Sequence, residues 1–73
     1  MSEVMTHEYV QRVMRERGMS IVGIRWFLGG VSKGRYYSWK RNGFDTMAAN
    51  LVRILEKYPE VLTLMEPMPK EFK

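Results

Sequence analysis

A chain of 73 residues is long enough for one small domain, and its 45% hydrophobic residues allow a modest core. The absence of cysteine excludes disulfides and thiolate metal sites, and no apolar run approaches the roughly 20 residues that a membrane span needs. The net charge is +4, and the first nine residues have neither the basic start nor the apolar centre of a signal peptide. These features predict a single, small, cytoplasmic domain over residues 1–73.

The first predicted helix covers residues 6–17. Thr6 can cap its amino end, and Gly18 is a typical helix stop. One face carries apolar residues at helical spacing, namely Val10, Val13 and Met14.

A second helix of about eight residues is predicted to start after Ser20 and to end at Gly29-Gly30. One glycine there can take the left-handed conformation that a tight turn between helices requires. Trp26 and Phe27 are adjacent, so one of them is expected to be exposed or buried in a partner. The residues expected to point towards the core are Ile21, Ile24 and Leu28.

The segment 33–41, KGRYYSWKR, is the third predicted helix, and it holds four cations, three aromatic residues and no acid. Ser32 can cap it, and Asn42-Gly43 can close it. Tyr36 and Trp39 recur at helical spacing and are expected to anchor this helix in the core.

A fourth helix is predicted from a cap at Asp45 or Thr46 to the break at Tyr58-Pro59. A fifth is predicted from Glu60 to about Glu66, followed by an extended or loose tail over residues 67–73. The apolar stripe expected on the fourth helix is Met47, Leu51, Ile54 and Leu55. The methionines expected to fill gaps in the core are Met14, Met47 and Met65.

The positive charge is concentrated in one part of the chain. Residues 12–41 hold eight basic residues and one acidic residue, a balance of +7, whereas the segments on either side are slightly negative. A basic stretch that coincides with a helix, a tight turn and another helix is typical of a protein that binds a polyanion.

The third helix and its flanks resemble the second half of the helix-turn-helix in Cro/cI-type (XRE) regulators. The resemblance covers roughly residues 8–65 and is carried by Gly30-Val31-Ser32, Tyr36, Ser38, Trp39 and Asn42-Gly43. It implies an all-α fold, a lambda repressor-like bundle of about five helices with the helix-turn-helix at about 20–42. It also implies a phage or bacterial repressor that binds an inverted-repeat operator in double-stranded DNA as a homodimer.

The chain departs from that family in its second helix, which begins Ile21-Val22-Gly23 and contains no alanine. Counting back from Gly30 places Arg25 and Trp26 at the contact between the two helices. Counting back from Gly29 places Ile24 and Arg25 there instead.

In this interpretation the third helix lies in the major groove. Lys33 and Arg35 are expected to read guanine, because their donors match its O6 and N7 acceptors. The Gly34 backbone can approach the duplex closely, and Tyr37 can reach a thymine methyl group or a phosphate. The complete set of expected DNA contacts is Arg25, Ser32, Lys33, Gly34, Arg35, Tyr37, Ser38, Lys40, Arg41 and Asn42, of which Arg25, Lys40, Arg41 and Asn42 are assigned to phosphates.

Protein contacts are also expected. The apolar side of the fifth helix, Val61, Leu64 and Met65, is either a dimer interface or part of the core. Met68, near Phe72, is a second candidate for a subunit contact.

Two other functions compete with transcriptional regulation. One is an antitoxin or another module that binds a protein such as a toxin, and the other is non-specific binding of RNA or single strands. An enzyme is not expected, because the lone His7 has no cysteine or close acid pair beside it, and no cofactor motif is present.

Overall fold

The computed structural model describes residues 5–73 and contains no strand in that range. The α-helices are α1 (His7–Arg17), α2 (Ile21–Phe27), α3 (Lys33–Asn42) and α4 (Thr46–Lys57), and a 3₁₀ helix follows at Pro59–Thr63. The predicted all-α class is confirmed. Within this range no helix combines the length and the apolar character needed to cross a membrane.

Each α-helix begins at a side-chain cap that the sequence predicts. In every case an oxygen of the cap accepts a hydrogen bond from the backbone amide three residues later, at 2.9–3.2 Å. This bond satisfies one of the amides that have no partner within the helix. The capping residues are Thr6, Ser20, Ser32 and Asp45, so Asp45 rather than Thr46 caps α4.

The core lies where α1, α3 and α4 meet, and α2 contributes one completely buried side chain. Its largest fully buried residues are Val10, Val13, Ile24, Tyr36, Val52 and Leu55. The predicted apolar face of α1 is confirmed, as Val10, Val13 and Met14 are all buried.

The buried face of α4 differs from the predicted stripe. Met47 is 74% exposed and Ile54 is 45% exposed, so the expectation that Met47 fills a gap in the core is wrong. The face that packs on α1 follows i, i+4, i+7 spacing and includes two small residues that allow close approach. It consists of Ala48, Ala49, Val52 and Leu55.

The fifth helix, predicted from Glu60 to about Glu66, is present only as a short 3₁₀ helix over Pro59–Thr63. The chain leaves the helical region at Tyr58 (φ −128°, ψ 75°), and no side chain caps the new segment. Pro59 has no backbone N–H and fixes its own φ, which suits a first turn. Val61 and Leu62 pack partly on the core.

The tail is folded back onto α2 and is neither extended nor loose. Phe72 donates its amide to the carbonyl of Pro69 at 3.1 Å, which closes a turn. Its ring meets the Trp26 ring edge-on, with the ring centres 5.2 Å apart. The Trp26 indole N–H donates to the Glu66 carbonyl at 2.8 Å. Trp26 and Phe27 are therefore both half-buried, one by the tail and one by the core.

A polar cluster ties α1 to the carboxyl end of α4. The Tyr9 hydroxyl donates to the Glu56 carboxylate, Arg12 pairs with it at 3.0 Å, and Arg17 donates to the Glu56 carbonyl at 2.7 Å. The hydrogen bond from Tyr9 lowers the pKa of Glu56, and Arg12 lowers it further. The same bond raises the pKa of Tyr9.

Candidate nucleic-acid interface

The turn between α2 and α3 spans residues 28–32 and contains two glycines with positive φ, Gly29 at 105° and Gly30 at 73°. The Arg25 carbonyl accepts the amides of Gly30 at 3.0 Å and Val31 at 3.1 Å. Side chains strongly disfavour positive φ, so this turn requires its glycines. The result is a short, internally bonded connection that leads directly into the basic helix.

Tyr36 anchors α3 as predicted, since its side chain is fully buried. It meets the His7 ring edge-on at 6.0 Å and the Phe44 ring at 5.7 Å. Burial raises the pKa of its hydroxyl. Trp39 is half-buried and tilts against Phe44 at 5.6 Å. Phe44 is a core residue that the pattern of α3 did not reveal, because it lies just beyond the end of that helix.

The remaining residues of α3 form three rows along the helix, each at i, i+4, i+7 spacing. The central row, opposite Tyr36, is Gly34, Ser38 and Arg41. One flanking row is Lys33, Tyr37 and Lys40, and the other is Arg35, Trp39 and Asn42. Apart from the half-buried Ser38 and Trp39, every member is exposed.

The four cations of α3 project from this surface without a carboxylate partner among the described residues, since both ion pairs in residues 5–73 involve Arg12. Arg35 lies over the Trp39 ring at 5.6 Å, and Lys40 lies 5.8 Å from the centre of the Tyr37 ring. These aromatic faces hold the two cations near the helix without neutralising them.

A groove of about 310 Å³ separates the end of α3 from the start of α1. His7, Lys40, Arg41 and Asn42 contribute to its walls. Burial lowers the pKa of His7, and the positive charge of Lys40 lowers it further. Glu8 also lines this groove, so its Lys, Arg and Glu side chains sum to +1.

The opposite side of α3 is less basic. A groove of about 400 Å³ lies between the α2–α3 turn and the start of α4, and its walls include Arg35, Trp39, Asp45 and Met47. Asp45 partly offsets the charge of Arg35 here. The charged side chains that line the two grooves therefore sum to +1 on the side of Lys40 and to zero on the side of Arg35.

Arg25 does not occupy the position expected for a phosphate contact. It is only 3% exposed, its Nε donates to the Val31 carbonyl at 3.0 Å, and the Phe72 ring covers its guanidinium at 4.8 Å. The predicted phosphate contact does not fit such a buried position. Ile24 and Arg25, the pair selected by counting back from Gly29, are both buried, whereas Trp26 is half-buried.

The other predicted site residues lie together on α3. Ser32 serves as the helix cap, Ser38 accepts a bond from Asn42 at 3.5 Å, and the remaining residues form one continuous surface. Sequence reasoning missed the contribution of Phe72, because nothing in the tail indicates that it returns to a helix over 40 positions away.

The described residues contain no cluster of three potential metal ligands among His, Asp and Glu side chains. Comparisons of the chain with protein-family models, with curated proteins and with solved structures gave no match.

Proposed function

We propose that this chain is a sequence-specific double-stranded DNA-binding regulator, of the lambda repressor-like helix-turn-helix type, that inserts α3 into the major groove. One observation carries the proposal. A helix anchored by the fully buried Tyr36 presents four cations without acidic partners among the described residues, directly after a tight glycine turn. A rigid basic helix of this kind matches the width and the charge of a DNA groove.

The three rows of α3 suggest different roles in DNA binding. The central row faces the floor of the groove, so the Gly34 backbone, the Ser38 hydroxyl and the Arg41 guanidinium face the base edges. Arg41, expected from the sequence to contact a phosphate, is thereby better placed for guanine, whose O6 and N7 accept a bidentate bond. Lys33 and Arg35, in flanking rows, reach bases nearer the groove walls.

Phosphate contacts fall to the margins of this surface. Lys40, Tyr37 and the groove beside His7 share one side of α3, and we propose that this side faces one strand of the duplex. Such contacts set register and supply affinity but carry no sequence information.

A single copy of α3 makes few base contacts, so we propose that the protein binds an inverted repeat as a homodimer. Leu64, at the end of the 3₁₀ helix, is 82% exposed and is available for a subunit contact. Val61, by contrast, packs partly on the core. The proposed interface is therefore narrower than the sequence predicts.

Selection of bound duplexes from a random DNA pool tests the proposal. Enrichment of one inverted repeat, with half-sites about one helical turn apart, is the expected result. Enrichment of a single unrepeated site would support specific DNA recognition but would contradict the proposed homodimer. Equal recovery of all sequences, or of single strands, would contradict specific duplex binding.

A protein-binding module remains the second candidate. The observation that favours it is a set of exposed apolar side chains away from α3, on α4 and beyond it: Ile54, Tyr58 and Leu64. Affinity capture that recovers one stoichiometric protein, with no duplex binding at low salt, would favour this candidate.

A further inference from the structure

The orientation of α3 depends on a connection that has little stiffness of its own. Gly29 and Gly30 both have positive φ, and glycine has the largest conformational freedom to lose on folding. Backbone bonds to the Arg25 and Trp26 carbonyls order part of this turn. Because α3 begins two residues after Val31, interactions that fix these carbonyls and Val31 also fix the start of α3.

Arg25 bonds to the turn through both its backbone and its side chain. Its carbonyl accepts amides of the turn, and its side-chain Nε donates to the Val31 carbonyl at 3.0 Å. This side chain is 3% exposed, and its Nη1 has no hydrogen-bond partner among the described residues. A buried guanidinium with an unsatisfied N–H is unfavourable unless another interaction compensates.

Phe72 provides that compensation from the far end of the chain. The centre of its ring lies 4.8 Å from the Arg25 guanidinium carbon, within cation–π distance. The ring also meets Trp26 edge-on and lies beside Gly30, where an added Cβ would be 3.9 Å away. The tail thus contacts α2 at Arg25 and Trp26 and lies close to the turn at Gly30.

We infer that Phe72 is a positioning residue for DNA recognition: it holds Arg25 against Val31, which fixes the turn and the angle of α3. The inference rests on the proposed function and assigns Arg25 to positioning rather than to phosphate binding. Base recognition requires side chains to be placed within about 0.5 Å. A loosened turn should therefore reduce sequence discrimination while leaving the cations of α3 able to bind phosphates.

The experiment compares Phe72→Ala, in the whole 73-residue chain, with Ile54→Ala, which removes an apolar side chain that is 45% exposed on α4. Affinity is measured for the duplex selected from the random pool and for a scrambled duplex, over a series of salt concentrations. Amide hydrogen exchange is measured at Gly30 and Val31 in the free protein. Phe72→Tyr, which keeps the ring, and Phe72→Leu, which removes it, complete the set.

For Phe72→Ala and Phe72→Leu we expect amide protection and affinity for the selected duplex to fall by about two- to thirtyfold, the range that corresponds to one cation–π contact. Affinity for the scrambled duplex and the salt dependence should stay at the parent values. Phe72→Tyr and Ile54→Ala should behave like the parent. Since Phe72 is only half-buried, neither loss variant empties the core. If Phe72→Ala nevertheless fails to fold, Phe72→Leu decides the result.

Three outcomes overturn the inference: unchanged exchange at Gly30 and Val31 in the loss variants, parallel weakening on both duplexes, or tighter binding with a steeper salt dependence. The last would mean that the tail shields Arg25 from phosphate. Failure of every protein, the parent included, to bind duplex would refute the proposed function instead. Hydrogen exchange in the free protein would still decide whether Phe72 holds the turn.

Discussion

At the scale of single residues, the position of each cation on α3 determines which role we propose for it in DNA binding, although all four carry the same charge. Lys40 and Arg41 are neighbours in sequence, yet Arg41 lies in the central row opposite Tyr36 and Lys40 lies in a flanking row beside Tyr37. A base contact and a phosphate contact differ in their dependence on sequence and on salt. The pair therefore offers a comparison in which the net charge changes equally.

Arg41→Ala is expected to weaken binding to the selected duplex by about 1–3 kcal/mol and to relax sequence choice at one position. Lys40→Ala should weaken binding to all sequences similarly and lower the salt slope by about 1. Fluorescence anisotropy with single-base variants of the duplex measures both effects. Interchanged behaviour of the two variants would show that the flanking row, not the central row, faces the bases.

Glu56 makes stability dependent on pH. Its pKa is lowered in the folded state, chiefly by the hydrogen bond from Tyr9, so the folded protein favours the charged carboxylate. The stability it contributes is present above its unfolded pKa and is lost as the pH falls through its folded pKa. Glu56→Gln should lower Tm at neutral pH and should reduce the fall in Tm between about pH 5 and about pH 3.

Thermal unfolding followed by circular dichroism checks this prediction. Glu66→Gln, which removes the same charge from an exposed position, is the control and should keep the pH dependence of the parent. A Glu56→Gln profile parallel to that of the parent would contradict the role assigned to the cluster on α1 and α4.

At the scale of elements, α3 combines strong anchoring with a weak helix former in its first turn. Gly34 lies in the first turn, where an added Cβ would meet nothing within 4 Å. Glycine in a helix costs about 0.5–1 kcal/mol relative to alanine, so folding alone gives no reason for it here. Close approach of the α3 backbone to the duplex would supply such a reason.

Gly34→Ala should accordingly raise the free energy of unfolding by about 0.5–1 kcal/mol and should at the same time weaken duplex binding. The stability measurement serves as an internal control, because a rise shows that α3 is intact. Binding as tight as that of the parent would mean that the backbone at Gly34 stays away from the bases.

At the scale of the whole molecule, the fold places its basic helix and Leu64, the most exposed large apolar side chain of the described residues, on separate elements. Leu64 follows the 3₁₀ helix, whereas the cations belong to α3. In a symmetric dimer the same apolar patch of each copy meets its counterpart while both basic helices face the same side of the duplex.

Leu64→Glu should leave folding unchanged and should weaken binding to the inverted repeat much more than to an isolated half-site, because only the former depends on subunit contact. Asn50→Glu, on the exposed face of α4, adds the same charge and is the control. Sedimentation with each duplex measures stoichiometry. Equal weakening of binding to the inverted repeat and to the half-site would show that Leu64 is not part of the dimer interface.

The residue pattern determined the four α-helices. Caps such as Ser20 and Ser32 and the glycine pair act over three to five residues, so local chemistry decides them wherever the chain goes. Helical spacing also predicted that Tyr36 is buried and anchors α3, because it lies on the side of the helix opposite the central row. These local rules also predicted that most of the candidate contacts share one surface.

Only the tertiary structure decided which side of α4 is buried, what becomes of Arg25 and where the tail lies. Met47 satisfies helical periodicity as well as Ala48 does, and only the partner helix α1 selects between them. Arg25 is a residue type that commonly contacts DNA, but the Phe72 ring covers its guanidinium. Contacts between residues this far apart in sequence depend on the path of the whole chain, which no local pattern encodes.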